Sequence, residues 1–218
     1  IVFVDNCYGE FAEATEPSEA GADLVAGSLI KNPGGGLAAS GGYIVGRQDL
    51  VERASYRLTA PGIGGEVGAM LGTTRLLFQG LYLAPHAVGQ AMKGSVLASA
   101  LFEELGFETR PQWNEPRSDI IQAIRFTRPE HLIAFVQSVQ QASPIDSHVT
   151  PEPGPMPGYE HEVIMAAGAF IQGGSLELSA DAPIRKPYTA YMQGGLTYSH
   201  VKYTLIHILQ RMRQEGLI

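Results

Sequence analysis

Residues 22–36 read ADLVAGSLIKNPGGG. A short apolar run, Leu24-Val25-Ala26, passes through Gly27-Ser28 to one lysine, Lys31, and then meets Asn32-Pro33 and three glycines. Proline lacks a backbone N–H, and glycine loses the most conformational freedom when ordered, so regular structure stops there. An apolar run, a lone Lys and a set of turn residues describe a buried strand that delivers an amine to the end of a sheet. Upstream, Ile1-Val2-Phe3-Val4 is a second run of the same kind, and it delivers a carboxylate, Asp5. Open α/β sheets place their ligands at the carboxyl ends of strands, where both groups would lie.

The rest of the chain is read around these two strands. DNCYGEF after Val4 is a loop, and the acidic stretch from Glu10 to Ala22, with Pro17 inside, is a crossover of weak helical character. Gly41–Gly46 is a third short strand. Arg47–Leu58 is a helix with Leu50, Val51, Ala54 and Leu58 on one face. Thr59–Gly72, TAPGIGGEVGAMLG, resembles a dinucleotide loop only superficially. Counted from Gly62, the third glycine of G-x-G-x-x-G falls on Val67, and no strand precedes it. Pro85 is expected to open a long helix that ends at Gly106.

Beyond a polar connection, Phe107–Pro116, the pattern changes. Ile120–Phe126 reads as a strand, and Thr127-x-x-Glu130 with Pro129 reads as a capping box opening a helix through Leu132, Phe135, Val136 and Val139. Ser143–Gly158 carries five prolines and is a loop. Glu162–Phe170, Ser175–Ala180 and Pro187–Met192 are expected strands, and a last helix starts near Thr197. The expected fold class is therefore α/β with a parallel sheet over residues 1–106, followed by a smaller α+β domain over residues 107–218.

Composition narrows the function classes. The chain has 218 residues, 44% hydrophobic and 17% charged, as in ordinary globular proteins. A net charge of −7 disfavours a nucleic-acid surface, which needs clustered Lys and Arg. No stretch of about eighteen apolar residues suggests a membrane span. A single cysteine and the absence of a basic, apolar leader suit a reducing cytoplasm. The chain opens without Met inside a strand, so it is expected to be a piece of a longer protein.

An amine and a carboxylate on neighbouring strands match the needs of pyridoxal 5′-phosphate (PLP). Its carbonyl takes a lysine amine, and its ring nitrogen takes an anionic partner that keeps it protonated. Ser28 is placed to hydrogen-bond the phosphate, and Tyr8 to lie beside the ring as a hydroxyl donor. Solvated surface groups at two strand ends would look the same by spacing alone, and a Tyr such as Tyr8 often serves packing.

A resemblance bears on that choice. VDNCYGEF, GADLVAGSLIKNPGGGLAASGGYIVG, RLTAPGIGGEVGA and SADAPIRKPYTAYMQGGLTYSH resemble the Asp-to-Lys segment and later regions of fold-type-I PLP enzymes of cysteine and methionine metabolism. Within these they are most similar to the methionine γ-lyase-like family, also called aluminium-resistance proteins. The resemblance covers nearly the whole chain. It implies Lys31 as the Schiff-base lysine, Asp5 as the partner of the pyridine nitrogen and Ser28 as a phosphate contact. It also implies a carbon–sulfur lyase acting on a sulfur amino acid, of which this chain is the carboxyl-terminal half, assembled as a homodimer or tetramer. Other PLP reactions on the same fold, and a non-catalytic resistance or binding protein, are the alternatives. Where γ-lyases carry a Thr directly before the lysine, this chain has Ile30.

Arg185, in APIRKPY, is a candidate for the substrate carboxylate, since Arg offers a bidentate fork; an exposed loop Arg is the plain alternative. Cys7 reads as a buried inert thiol rather than a nucleophile. Arg57 and Glu66 flank the glycine loop and are weaker candidates. His161-Glu162 lacks a second His four residues on, and His200 and His207 suit a helix face, so no metal site is expected.

Overall fold

In the computed structural model, residues 1–66, 68 and 72–218 are described, and they form two sheets bridged by one long helix. The first sheet has the order β1 (Phe3–Asp5), β2 (Leu24–Ser28), β3 (Gly42–Gly46). β1 and β2 are parallel, with Asp5 opposite Ala26. The 18-residue connection between them makes turns rather than a helix. β3 runs antiparallel to β2, pairing Leu24 with Gly46 and Ser28 with Gly42. The expectation of a parallel sheet thus holds for the first pair only. After β2 the chain doubles back through a single 3-10 turn, Asn32–Gly34, and the return strand is antiparallel because no helical crossover carries it round.

α1 (Gln48–Leu58) forms as expected, but only Leu50 of its apolar face is buried and Leu58 is 81% exposed. Val67, and residues 69–71 of the glycine-rich loop, lie outside the described residues. α2 (Thr74–Glu104) begins well before Pro85, which sits in its interior. The start-of-helix rule fails here for a local reason. An interior proline frees the carbonyl four residues back, and Leu81, the residue concerned, lies on an exposed turn where water can satisfy it.

Gly35 of the GGG run and Gly80 of α2 have a structural cause. A Cβ on Gly35 would stand 2.2 Å from the Gly80 carbonyl oxygen, and one on Gly80 would stand 2.2 Å from that of Gly34. The turn after β2 and the helix α2 therefore touch backbone to backbone.

The second sheet is antiparallel throughout, in the order β4 (Glu108–Arg110), β5 (Ile121–Phe126), β8 (Tyr188–Gln193), β7 (Ser179–Pro183), β6 (Val163–Ala166). α3 (Pro129–Gln141), α4 (Tyr198–Gln214) and the end of α2 cover one face. Along β5 the side chains of Gln122, Ile124 and Phe126 are buried while Arg125 is exposed, the period-two pattern of a sheet covered on one side. Phe102 of α2 meets Phe126 edge-on at 5.6 Å and Phe135 at 5.7 Å, a favoured aromatic geometry.

Three local readings need correction. β4 arises inside the supposed polar connection, where Thr109 is buried among Ser99 and Glu103. The capping box does not close: Arg128, not Thr127, is the N-cap of α3, and no side chain caps it. β7 begins at Ser179 rather than Ser175, because residues 175–178 turn inward to meet the first sheet's loop: the Leu176 N–H donates to the Ile30 carbonyl at 3.2 Å. Thr197 caps α4 by accepting from the His200 N–H at 3.3 Å. Among the described residues no helix is long and apolar enough to cross a membrane.

Candidate active site

β1 ends at Asp5, and the backbone N–H of Asn6 donates to the Ala26 carbonyl of β2 at 2.9 Å, the last backbone-to-backbone bond before the two strands part. The exposed Asp5 carboxylate accepts from the Cys7 N–H at 3.1 Å. The Cys7 side chain first and this backbone bond next, with a lesser pull from the nearby Lys31 charge, hold it below the usual carboxylate range against the opposing effect of burial. Asp5 is therefore an anion over the whole physiological range. Burial and the Asp5 carboxylate together push the Cys7 thiol up, which leaves it a neutral donor rather than a nucleophile.

Lys31 follows β2 in the turn that touches α2. Its Nζ lies 5.3 Å from the centroid of the Tyr8 ring, a cation–π placement. Among the described residues it makes no salt bridge, so no carboxylate ties up its amine.

Tyr8 is 8% exposed and has φ of 76°, a left-handed backbone that an L side chain enters at a cost of order 1–2 kcal/mol. Packing among Ala87, Val88, Ala91, Ile120 and Leu176 holds it there. A Cβ on Gly174 would come within 2.9 Å of its hydroxyl, so the glycine leaves that oxygen room. Burial, with the negative potential of Cys7 and Asp181, pushes the phenol up to about 12, so it serves as a donor and not as a base. Ser28 ends β2; its Oγ accepts from the Ile30 N–H at 3.3 Å, which leaves its hydroxyl hydrogen to donate elsewhere.

Asp5, Tyr8, Ser28 and Lys31 thus gather at one end of the first sheet. Arg185 does not join them. It is exposed, in the turn between β7 and β8. The turn before β7 bonds the Ile30 carbonyl, whereas Arg185 follows the other end of the strand. At roughly 3.3 Å per residue, β7 alone separates its two ends by about 13 Å. The antiparallel hairpin carries Arg185 away from Lys31.

A second group escaped the sequence reading. Asn32, fully buried, donates through Nδ2 to the Glu10 carbonyl at 2.9 Å. Glu10, 4% exposed, accepts the Tyr43 hydroxyl at 2.7 Å. Burial raises the Glu10 carboxyl, with the Tyr43 bond opposing. Glu10, Tyr43, Val25 and Leu29 help to line a mainly apolar cavity of about 380 Å³. By residue type, Asn32 belongs to the turn and Glu10 to an acidic crossover, and no local pattern links them.

Comparison with known proteins places this arrangement. The methionine gamma-lyase family model matches residues 1–213. YnbB of Bacillus subtilis (strain 168), itself uncharacterized, is 58% identical over 218 residues, covering 100% of this chain and 52% of its own length. A carbon–sulfur lyase involved in aluminum resistance from Clostridium novyi NT superposes with a TM-score of 0.91 at 56% identity, over 97% of this chain and 50% of that one. Cystathionine gamma-lyase from yeast, at 14% identity and a TM-score of 0.56 over 96% of this chain and 56% of that one, shares the fold alone. The α/β architecture, with its mixed first sheet, is that of this enzyme group, and the chain belongs to the methionine gamma-lyase family. It spans about half the length of YnbB and of the C. novyi protein.

Proposed function

We propose that this chain forms part of a PLP-dependent carbon–sulfur lyase acting on a sulfur amino acid. The observation that carries the reading is one juxtaposition: an amine free of salt bridges among the described residues, Lys31, and a carboxylate held ionised, Asp5, at the ends of adjacent parallel strands. The donor set fits the cofactor. Asp5 supplies the anion that a pyridine nitrogen needs, Lys31 the amine that its carbonyl needs, and Ser28 a hydroxyl for the phosphate.

When bound, PLP supplies an electron sink for the carbanion formed at the substrate Cα. Asp5 holds a proton on the ring nitrogen. The Lys31 amine takes the Cα proton, with Tyr8 packed beneath it and kept protonated, so that the phenol does not compete as a base. In the elimination that the family name implies, the substrate would lose a proton from Cβ and a thiolate from Cγ, which together leave as the thiol. Residues 1–106 act as the carboxyl part of a larger cofactor-binding domain, residues 107–218 as a smaller domain closing over it, and the remaining length of the protein completes the cofactor's surroundings. The enzyme works in the cytoplasm as a homodimer or tetramer. Leu76, Phe78 and Tyr82 of α2, exposed by 48%, 68% and 85%, support burial in such an assembly.

The test is made on the full-length protein. With PLP it should show a visible absorbance band that borohydride bleaches, and methionine or a related γ-substituted amino acid should release a thiol and a 2-oxo acid. Lys31→Ala should lose both the band and turnover. Retention of the bleachable band in Lys31→Ala would overturn the assignment, and pyruvate in place of 2-oxobutanoate would move the elimination to Cβ.

A further inference from the structure

The two groups of the proposed site sit on separate loops, and something must hold those loops together. The strands that carry them stop pairing at the Asn6–Ala26 bond. Beyond it, the Cys7 thiol meets the Ser28 backbone and the Lys31 amine lies over the Tyr8 ring. Among the described residues, one hydrogen bond joins residues 7–11 to residues 29–34: Asn32 Nδ2 to the Glu10 carbonyl, at 2.9 Å.

We propose that Asn32 is a positioning residue of this site: its side-chain amide, through the backbone of Glu10, fixes the Lys31 amine relative to Asp5 and Tyr8. The inference rests on the function proposed above.

Three features support it. Asn32 directly follows Lys31 in sequence, so the bond acts one residue from the amine-bearing backbone. Among the described residues its Oδ1 is buried without a partner, which leaves the Nδ2 bond as the side chain's sole hydrogen bond there. That single bond therefore carries the whole task of offsetting the amide's burial. The acceptor is also anchored. Glu10 binds the Tyr43 hydroxyl at 2.7 Å, and Tyr43 stands opposite Gly27 in the β2–β3 pair. A Cβ at Gly27 would lie 2.5 Å from the Tyr43 ring and 2.6 Å from Glu10 Oε1, so the glycine keeps that contact possible. Lys31 is then held from two directions, by Asn32 to the Asp5 loop and by the Ile30 carbonyl to Leu176 of the second sheet's loop. Asn32 acts on the lysine through this geometry and does not itself touch substrate.

The experiment uses the full-length protein and two isosteric or near-isosteric changes. Asn32→Asp replaces the donor by an acceptor facing a carbonyl, and Tyr43→Phe removes the hydroxyl that anchors Glu10. With PLP bound, Asn32→Asp should lower kcat roughly 10- to 100-fold with little change in KM, the scale expected for a small displacement of a reacting group. It should also shift the pH midpoint of the visible band. In cofactor-free protein, the rate of Lys31 reductive methylation, read by peptide mass spectrometry, should change, and Tyr43→Phe should change it in the same direction by less.

A lowered melting temperature with an unchanged methylation rate and band midpoint would make Asn32 merely structural and overturn the proposal. Unchanged methylation in a folded Tyr43→Phe, should Asn32→Asp not fold, would overturn it equally. Failure of the underlying reading is separable. A bleachable band that survives Lys31→Ala would discard the cofactor assignment, while the methylation rates would still report on Asn32.

Discussion

The two sheets of this chain are held in opposite ways. In the second, Phe102, Phe135, Met192 and Leu205 are fully buried under three helices. In the first, Val25 is the only strand residue that is buried, and Phe3 is 60% exposed. Yet the amine and the carboxylate sit on the poorly covered sheet. Within this chain, which spans about half the length of its relatives, the well-packed core and the candidate groups are separate, and those groups lie on loops of the first sheet's scaffold. That scaffold takes rigidity from α2, through the backbone contact of Gly34 and Gly35 with Gly80 and through the packing of Tyr8 on Ala87 and Val88.

The difference can be broken by mutation. Phe102→Ala should cost roughly 3–5 kcal/mol, because it empties the aromatic cluster of the second sheet. Phe3→Ala in this chain should stay within about 0.5 kcal/mol. Calorimetric melting of both variants decides it: comparable losses would mean that the first sheet is as well consolidated as the second. Gly80→Ala sets a Cβ against backbone rather than against a flexible side chain, and should cost about 1–3 kcal/mol. It should disturb the Lys31 turn more than the distant core, so hydrogen exchange should rise around residues 31–36 before it rises in β5. Equal protection in both places would show that α2 does not support the turn.

Thr197→Ala removes the cap of α4 and should lower stability by about 1 kcal/mol, read as a small loss in thermal midpoint. The smallest effect concerns pH. The folded protein holds the Glu10 proton more tightly than the unfolded chain does, because burial raises that carboxyl. The contribution of Glu10 to stability is therefore complete below the ordinary carboxylate range, and it falls as pH rises from that range through its raised value. Glu10→Gln keeps a neutral side chain and should remove the fall, so the melting temperature of the variant relative to the parent should climb with pH over that window. A constant difference would show that Glu10 ionises freely in the fold.

Much of the fold was legible because its signals are short-range. The runs before Asp5 and Lys31 and the start of the last helix near Thr197 each depend on residues within a turn or two of one another. The α2 boundary was misplaced for the same reason: a proline read locally marks a helix start, while the exposure of the turn around Leu81 that makes it tolerable is a tertiary fact. β4 was hidden because Glu108–Arg110 is polar in sequence and becomes a strand through pairing with β5.

What the amino-acid order determined by itself is where regular structure stops, and hence that an amine and an acid stand at strand ends. Bonding preferences and steric limits act between near neighbours, so residue types suffice to place them. Tertiary structure alone decided that β3 returns antiparallel, that Arg185 lies at the far end of a hairpin, and that Asn32 reaches the Glu10 carbonyl across 22 residues. Those outcomes depend on which distant segments close on one another. Closure is set by the packing of the whole chain, and no local pattern carries it.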